Sequence, residues 1–287
     1  MSDPLPSDIE EALSAESERL GVFADHFNYF SVVPSTNDVA LRLAEDGAQD
    51  GTIVLAAAQT AGRGRRGREW FSPVGGLYFS VIMRGLQSPT VTLMAGVGVA
   101  EGIRISTGLA VEIQWPNDVV LPTSQRNGQA EQLVKVAGIL SEAPRIGKFP
   151  EAMIVGIGIN VGRTDYPPAL SSRASSLEFE LRRPVDRASV LVESLAALTR
   201  WRHVVHMGNE PVMLNRWREL APSSEGSIVV WKTQERDQQG ITDGIDTDGA
   251  LRVRCGSQVQ RLVAGEVTWG APSGTRTLCK GSDAAGN

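Results

Sequence analysis

Histidine, cysteine and tyrosine are scarce in this chain, with three, two and three among 287 residues. Cys255 and Cys279 stand far apart and form no C-x-x-C pair, so a reducing compartment is expected rather than a disulfide framework. His203 and His206 share an i, i+3 spacing but have no third ligand nearby, and they read as a helix-end pair at the negative end of its dipole. No H-E-x-x-H, G-x-S-x-G or Walker A motif is present, and no internal repeat. No apolar run approaches the roughly 20 residues that cross a bilayer. Residues 1–6 lack the basic and apolar regions of a signal peptide. Positive charge is also in short supply: 28 Lys and Arg against 33 Asp and Glu leave a net charge of -5. Nucleic-acid binders usually carry a basic domain or stripe. The chain therefore reads as soluble and cytoplasmic, with neither membrane nor nucleic acid as partner.

What the chain does have is one basic point. Gln59-Thr60-Ala61-Gly62-Arg63-Gly64-Arg65-Arg66-Gly67-Arg68-Glu69-Trp70 packs four arginines between two apolar runs, residues 53–58 and 77–83. Glycines let backbone approach a ligand, and guanidinium groups hold carboxylate or phosphate bidentately. The segment matches G-x-G-x-x-G literally. A dinucleotide fingerprint also needs a helix at the third glycine and an acid about 20 residues on. Here Trp70-Phe71-Ser72-Pro73 follows, and Arg84, Gly85 and Leu86 stand where the acid belongs. A solvated basic turn is the bland alternative. The spacing favours a site for an anionic small molecule.

The composition, 41% hydrophobic and 21% charged, suits one large or two modest domains. A short helix is expected around Ile9 and Leu13. Residues 27–33 alternate as a strand. A helix capped by Ser35 or Thr36 and closed by Gly47 follows, and its first-turn amides are open to a polar ligand. Residues 90–107 predict a helix ended by Gly108. Residues 111–116 predict a strand broken by Pro116, and 122–132 a surface loop. Residues 133–140 and 153–161 are apolar enough for strands buried on both faces. Asp186 caps a helix with Val190, Leu191, Leu195, Leu198 and Trp201 inward, ending near Gly208. Short strands at 227–231, 240–245, 250–254 and 259–263, with a turn at Thr247-Asp248-Gly249, predict a small barrel or sandwich. Residues 270–287, rich in Gly, Ser and Ala, are expected to be disordered.

Three pieces carry chemistry. Lys135 sits in an apolar run, and a buried lysine needs an anionic partner unless its strand lies at an edge. Gln114-Trp115-Pro116-Asn117-Asp118 ends a strand in polar groups, which is a ligand position in α/β sheets or an ordinary turn. Gly156-Ile157-Gly158-Ile159-Asn160 sets two glycines and an amide in a buried strand, for a ligand or for packing.

In this order, Ser35-Thr36-Asn37, Gln59 with the glycine–arginine loop and Trp70, Trp115 to Asp118, Lys135-Val136-Ala137-Gly138 and Gly156 to Asn160 resemble a biotin–protein ligase of the monofunctional type. The resemblance spans about residues 27–268. It implies an α+β fold: a mixed β-sheet catalytic domain flanked by helices, of the class II aminoacyl-tRNA synthetase and biotin ligase kind, with a small C-terminal SH3-like β-barrel. The division it implies is an N-terminal extension at 1–25, the catalytic domain at 26–222, the SH3-like domain at 223–269 and a tail at 270–287. It also implies biotin, ATP and Mg²⁺, a biotinyl-5′-AMP intermediate, and a biotin carboxyl carrier protein or domain as acceptor, in a monomer or homodimer. By the same resemblance Arg63, Arg65 and Lys135 are catalytic. Ser35, Thr36, Asn37, Gln59, Arg63, Gly64, Arg65 and Lys135 surround biotin. Arg66, Trp70, Asn117, Asp118 and Asn160 face the nucleotide, and no residue is assigned to a metal.

Two departures stand out. Gln114 occupies a position that is often lysine in relatives. Only about twenty-five residues precede the first strand, too few for the winged helix-turn-helix of some relatives, so no DNA-binding function is expected. The alternatives are a lipoate–protein ligase or octanoyltransferase of the same fold, a DNA-binding regulator without enzymatic activity, and a plain nucleotide-binding domain.

Overall fold

A computed structural model describes residues 2–86, 88–123, 132–143, 152–233, 237–263, 265 and 267–270. Helices α1 (Ser7–Ala15) and α2 (Ser17–Leu20) open the chain. They are followed by β1 (Phe27–Val33), α3 (Thr36–Glu45), β2 (Ile53–Gln59), β3 (Leu77–Arg84), α4 (Val91–Thr107), β4 (Glu112–Gln114), β5 (Asp118–Thr123), β6 (Gln132–Glu142) and β7 (Ala152–Ile159). Then come α5 (Pro168–Ser171), α6 (Leu177–Leu181), α7 (Arg187–His206) and α8 (Glu210–Leu220). Five short strands end the described fold: β8 (Glu225–Lys232), β9 (Asp237–Ile245), β10 (Leu251–Cys255), β11 (Gln258–Leu262) and β12 (Val267–Trp269). The molecule is α+β, as expected.

The first seven strands form one sheet in the order β1-β2-β3-β7-β6-β5-β4, with β1 and β2 parallel and the other pairs antiparallel. Helices cover its two faces unequally. On one face lie α4 and α7, so close that a Cβ on Gly102 would come within 2.4 Å of Ser194 Oγ. Because α4 is wedged between the sheet and α7, twelve of its 17 residues are buried. On the other face lies the ten-residue α3, whose Ala40 and Ala44 pack against Val54, Ile82 and Ile154. The period of two along a strand then sorts β7. Val155, Ile157 and Ile159 join the α4 core. Gly156 and Gly158 share the α3 face with Ile154, where the chain leaves a cleft beyond the start of α3.

A bulge decides where Lys135 points. Val119 pairs with Ala137, but Val120 pairs with Lys135, so β6 carries one extra residue, Val136, in that step. Simple alternation from Gly138 would send Lys135 into the α4 core. The bulge turns it onto the cleft face, while Val136 and Ala137 are both fully buried.

Most expected elements are present, with corrections. The strand foreseen at 111–116 is limited to Glu112–Gln114. The loop foreseen at 122–132 begins two residues later, because Pro122 and Thr123 belong to β5 and pair with Leu133 and Gln132. Partner β4 reaches only as far as Val120, so the missing N–H of Pro122 falls on an unpaired side. The rest of that loop lies outside the described residues. β7 is buried on both faces, whereas β6 exposes Lys135, Gly138 and Leu140 to the cleft. Helix α8, not foreseen, buries Met213, Leu214, Trp217 and Leu220. Ser35 caps α3 by position, but its side chain makes no capping bond. The caps at Gly108 and at Asp186, which accepts from Ala188 N at 3.0 Å, are as expected. Residues 2–25 pack against the body, with Ile9, Leu13, Leu20 and Phe23 in the main core.

The last five strands form a separate antiparallel sheet in the order β11-β10-β9-β8-β12. Gly249, in the turn between β9 and β10, accepts a hydrogen bond from Trp115 Nε1 at 3.0 Å. Trp115 is 3% exposed, so the small sheet is tied to the segment just before β5. The Cys255 side chain is buried, with its sulfur 3.8 Å from Gln239 O, and Cys279 and the tail beyond Gly270 lie outside the described residues. No described helix is long and apolar enough to cross a membrane.

Candidate active site

The glycine–arginine segment joins β2 to β3 and forms a hydrogen-bonded lobe rather than an open loop. Gln59 N donates to Ser72 O (3.1 Å), Trp70 N to Gly62 O (2.8 Å) and Gly64 N to Arg68 O (2.7 Å). Its tip turns through Arg66 and Gly67, both at positive φ (59° and 75°). The lobe folds over a cleft of about 830 Å³, the size of a small-molecule site. Its other walls are the start of α3, the β4–β5 turn, the cleft face of β6 and β7, and part of the small sheet through Ile228, Val267 and Trp269.

At one end, a polar network fixes the first turn of α3. Gln59 Oε1 accepts from Thr36 N at 2.8 Å, so one first-turn amide is already satisfied, and Gln59 Nε2 donates to Ser72 Oγ at 2.8 Å. Ser80, fully buried on β3, donates to Asn37 Oδ1 at 2.6 Å and lies 2.8 Å from Thr36 Oγ1. A Cβ at Gly156 would sit 2.1 Å from Asn37 Oδ1, so that glycine is required by close packing.

At the centre, Lys135 Nζ lies 2.6 Å from Asp118 Oδ1 and 4.9 Å from the centroid of Trp70. Asp118 is the anionic partner that a lysine on an interior strand needs, and the ring face adds a cation–π contact. Trp70 stands on paired Gly138 and Gly158, where a Cβ would approach the indole to 2.9 and 2.4 Å. Its buried Nε1 has no acceptor among the described residues. Arg65 approaches Asn117 Oδ1 at 3.4 Å, and Asn117 Nδ2 donates to Ile139 O at 2.8 Å.

At the far end, Asn160 is 7% exposed and donates to Ser175 O at 3.0 Å, holding the segment after β7 against β6. Tyr166 donates to the same carbonyl at 3.1 Å and meets Phe71 edge-on. Burial pushes the Tyr166 phenol well above its ordinary range.

Of the residues singled out from the sequence, Ser35, Thr36, Asn37, Gln59, Arg63, Gly64, Arg65, Trp70, Asn117, Asp118, Lys135 and Asn160 all line this one cleft. Arg66 does not. It borders a second hollow, between the lobe and Leu140 and Glu142 at the end of β6. Gln114 lines the cleft as well. Sequence reasoning missed Ser80, a hydroxyl inside an apolar strand, and Glu142, two alternations beyond Gly138 on the same face of β6.

Comparison with known proteins agrees with this site. The biotin/lipoate A/B protein ligase family profile matches residues 29–160. The bifunctional ligase/repressor BirA of Bacillus subtilis is 33% identical over 87% of this chain and 75% of its own. The biotin–[acetyl-CoA-carboxylase] ligase of Paracoccus denitrificans is 33% identical over 82% of this chain and 97% of its own. The biotin protein ligase from Aquifex aeolicus, solved in complex with biotin and ATP, superposes with a TM-score of 0.72 at 26% identity, over 86% of this chain and all of that one. The chain belongs to the biotin/lipoate A/B protein ligase family. Its similarity there lies with the biotin–protein ligases, and it is a ligase.

Proposed function

We propose that the cleft joins biotin to ATP as biotinyl-5′-AMP and then passes biotin to a lysine of a biotin carboxyl carrier protein. The observation that carries this reading is the position of Lys135, turned by the bulge into a cleft roofed by an arginine-bearing lobe. In the first step a biotin carboxylate oxygen bonds to the α-phosphorus and pyrophosphate leaves. In the second, the carrier amine attacks the carbonyl carbon, AMP leaves and the amine loses a proton. Both steps need positive charge where anions meet and where charge grows in the transition state. Lys135, Arg65 and Arg63 supply it.

Ser35, Thr36, Asn37, Gln59 and the Gly64 backbone form the biotin end. Trp70, Asn117 and Asn160 form the nucleotide end, with the buried Trp70 Nε1 as a donor in search of an acceptor. Asp118 acts chiefly by holding Lys135. Arg66, which borders the second hollow and not the cleft, is the one member of the nucleotide set whose position does not support the role. Magnesium, when bound, neutralises phosphate charge. It would ask for only one or two carboxylates beside the phosphates, and Glu69 on the cleft wall would supply one, Asp118 being taken up by Lys135. Residues 26–222 form the catalytic unit and 223–269 the SH3-like unit.

The test is incubation with biotin, ATP, Mg²⁺ and a carrier domain, with lipoate in a parallel reaction, following pyrophosphate release and carrier mass. Biotin transfer is the expected result, and transfer of lipoate in its place overturns the reading.

A further inference from the structure

Glu142 ends β6 on the same face as Gly138 and Leu140, paired with Ile154. One of its oxygens, Oε2, accepts two hydrogen bonds: from Asn37 Nδ2 at 2.7 Å and from Arg63 at 2.6 Å. Asn37 is 4% exposed. Its amide oxygen is held by Ser80 at 2.6 Å, and its nitrogen also approaches Leu140 O at 3.3 Å. Both amide hydrogens are thus spent on protein groups. The orientation of Asn37 in the cleft wall is set by its neighbours, and Glu142 is the charged one.

Arg63 belongs to the lobe, and its guanidinium also meets Asp38 Oδ1 at 2.9 Å. Asp38 follows Asn37 on α3, so both carboxylates draw the lobe toward the same corner of the cleft. An exposed ion pair by itself is weak. Here the pair shares its acceptor atom with a charge-assisted bond to a buried amide, and such linked bonds are stronger than isolated ones.

We propose that Glu142 is a positioning residue for ligand capture. It holds the lobe at residues 60–72 down over the cleft through Arg63 and fixes the Asn37 amide through the same oxygen. The proposal rests on the reading that the cleft binds biotin and ATP. Glu142 itself touches no reacting atom, so its effect falls on how long a ligand stays, more than on the chemical step.

The test compares Glu142→Ala and Glu142→Gln with the unmodified protein. Amide hydrogen exchange of residues 60–72 is measured on the empty chain, and biotin dissociation and the KM and kcat of adenylate formation on the loaded one. In Glu142→Ala the lobe should exchange faster and biotin should dissociate about tenfold faster, the size of one charge-assisted hydrogen bond. The loss should appear in KM for biotin more than in kcat. Glu142→Gln keeps an acceptor for Asn37 but has no charge for Arg63. It should loosen the lobe as the alanine variant does while losing less biotin affinity. Lobe exchange and biotin dissociation both within about twofold of the unmodified protein in Glu142→Ala would overturn the proposal. If the unmodified protein binds no biotin, the functional reading fails, and the exchange comparison on the empty chain still decides whether Glu142 holds the lobe.

Discussion

The indole of Trp70 rests against Gly158 so closely that a Cβ there would lie 2.4 Å from Nε1. Gly158→Ala should therefore lift Trp70 off the β6–β7 floor and disturb the Lys135 contact above it. Overpacking of this kind costs about 1–3 kcal/mol. Adenylate formation should fall by about tenfold or more for a displacement worth that energy, while the circular dichroism spectrum is kept. Pyrophosphate release measures it, and full activity in the variant contradicts the contact.

Trp70→Phe separates two properties of the same ring. The phenyl keeps apolar cover over the glycines and removes a buried donor that has no acceptor among the described residues. Removing such a donor should leave the empty protein at least as stable. Nucleotide binding should weaken if the indole N–H meets ATP. Thermal melting with and without ATP reads both effects.

Lys135→Ala removes the charge that the bulge at Val136 aims into the cleft. The first step should slow by about 10²–10³-fold, the usual effect of losing one preorganised group facing the developing charge. Asp118→Asn should slow it less, because the ammonium remains and only its tether at 2.6 Å is weakened. Single-turnover formation of biotinyl-5′-AMP checks the order of the two variants.

Arg65→Ala opens the lobe on the Asn117 side. We expect either slower adenylate formation or escape of free biotinyl-5′-AMP into solution, where water destroys it. Chromatography of the quenched reaction detects the escape. A normal rate with normal retention would remove Arg65 from the closure of the site.

Burial raises the phenols of Tyr78 and Tyr166 above the ordinary value of 10.0. In the unfolded chain these groups release their protons near that pH, whereas the native protein keeps them. Their contribution to stability is therefore complete below pH ~10 and is lost as pH rises above it. Absorbance of the phenolate band should show the Tyr78 and Tyr166 phenols titrating above their ordinary value while the protein stays folded.

Much of the cleft was legible from residues alone, because glycine, arginine and amide runs on short turns mark close approach to a ligand. Strand β1, the caps at Gly108 and Asp186, and the helices they bound followed from periodicity and capping chemistry. The orientation of Lys135 was not legible, since alternation in an apolar run assigns a face only when the register is unbroken. The role of Glu142 depends on Arg63, Asn37 and Ser80, which lie far from it in sequence, and no local pattern reports such a meeting. Strand β5 was hidden by Pro122, which forbids an interior strand but not one whose partner stops at Val120.

The bond from Trp115 to Gly249 joins residues 134 positions apart. A chain emerging at roughly 5–20 residues per second needs on the order of ten seconds to travel that interval. Until it does, the wall beside Asn117 and Asp118 lacks its outer support. The catalytic corner is thus among the last parts of the molecule to be finished during synthesis. A nascent chain that stops short of the β9–β10 turn should have a largely formed main sheet and no working site.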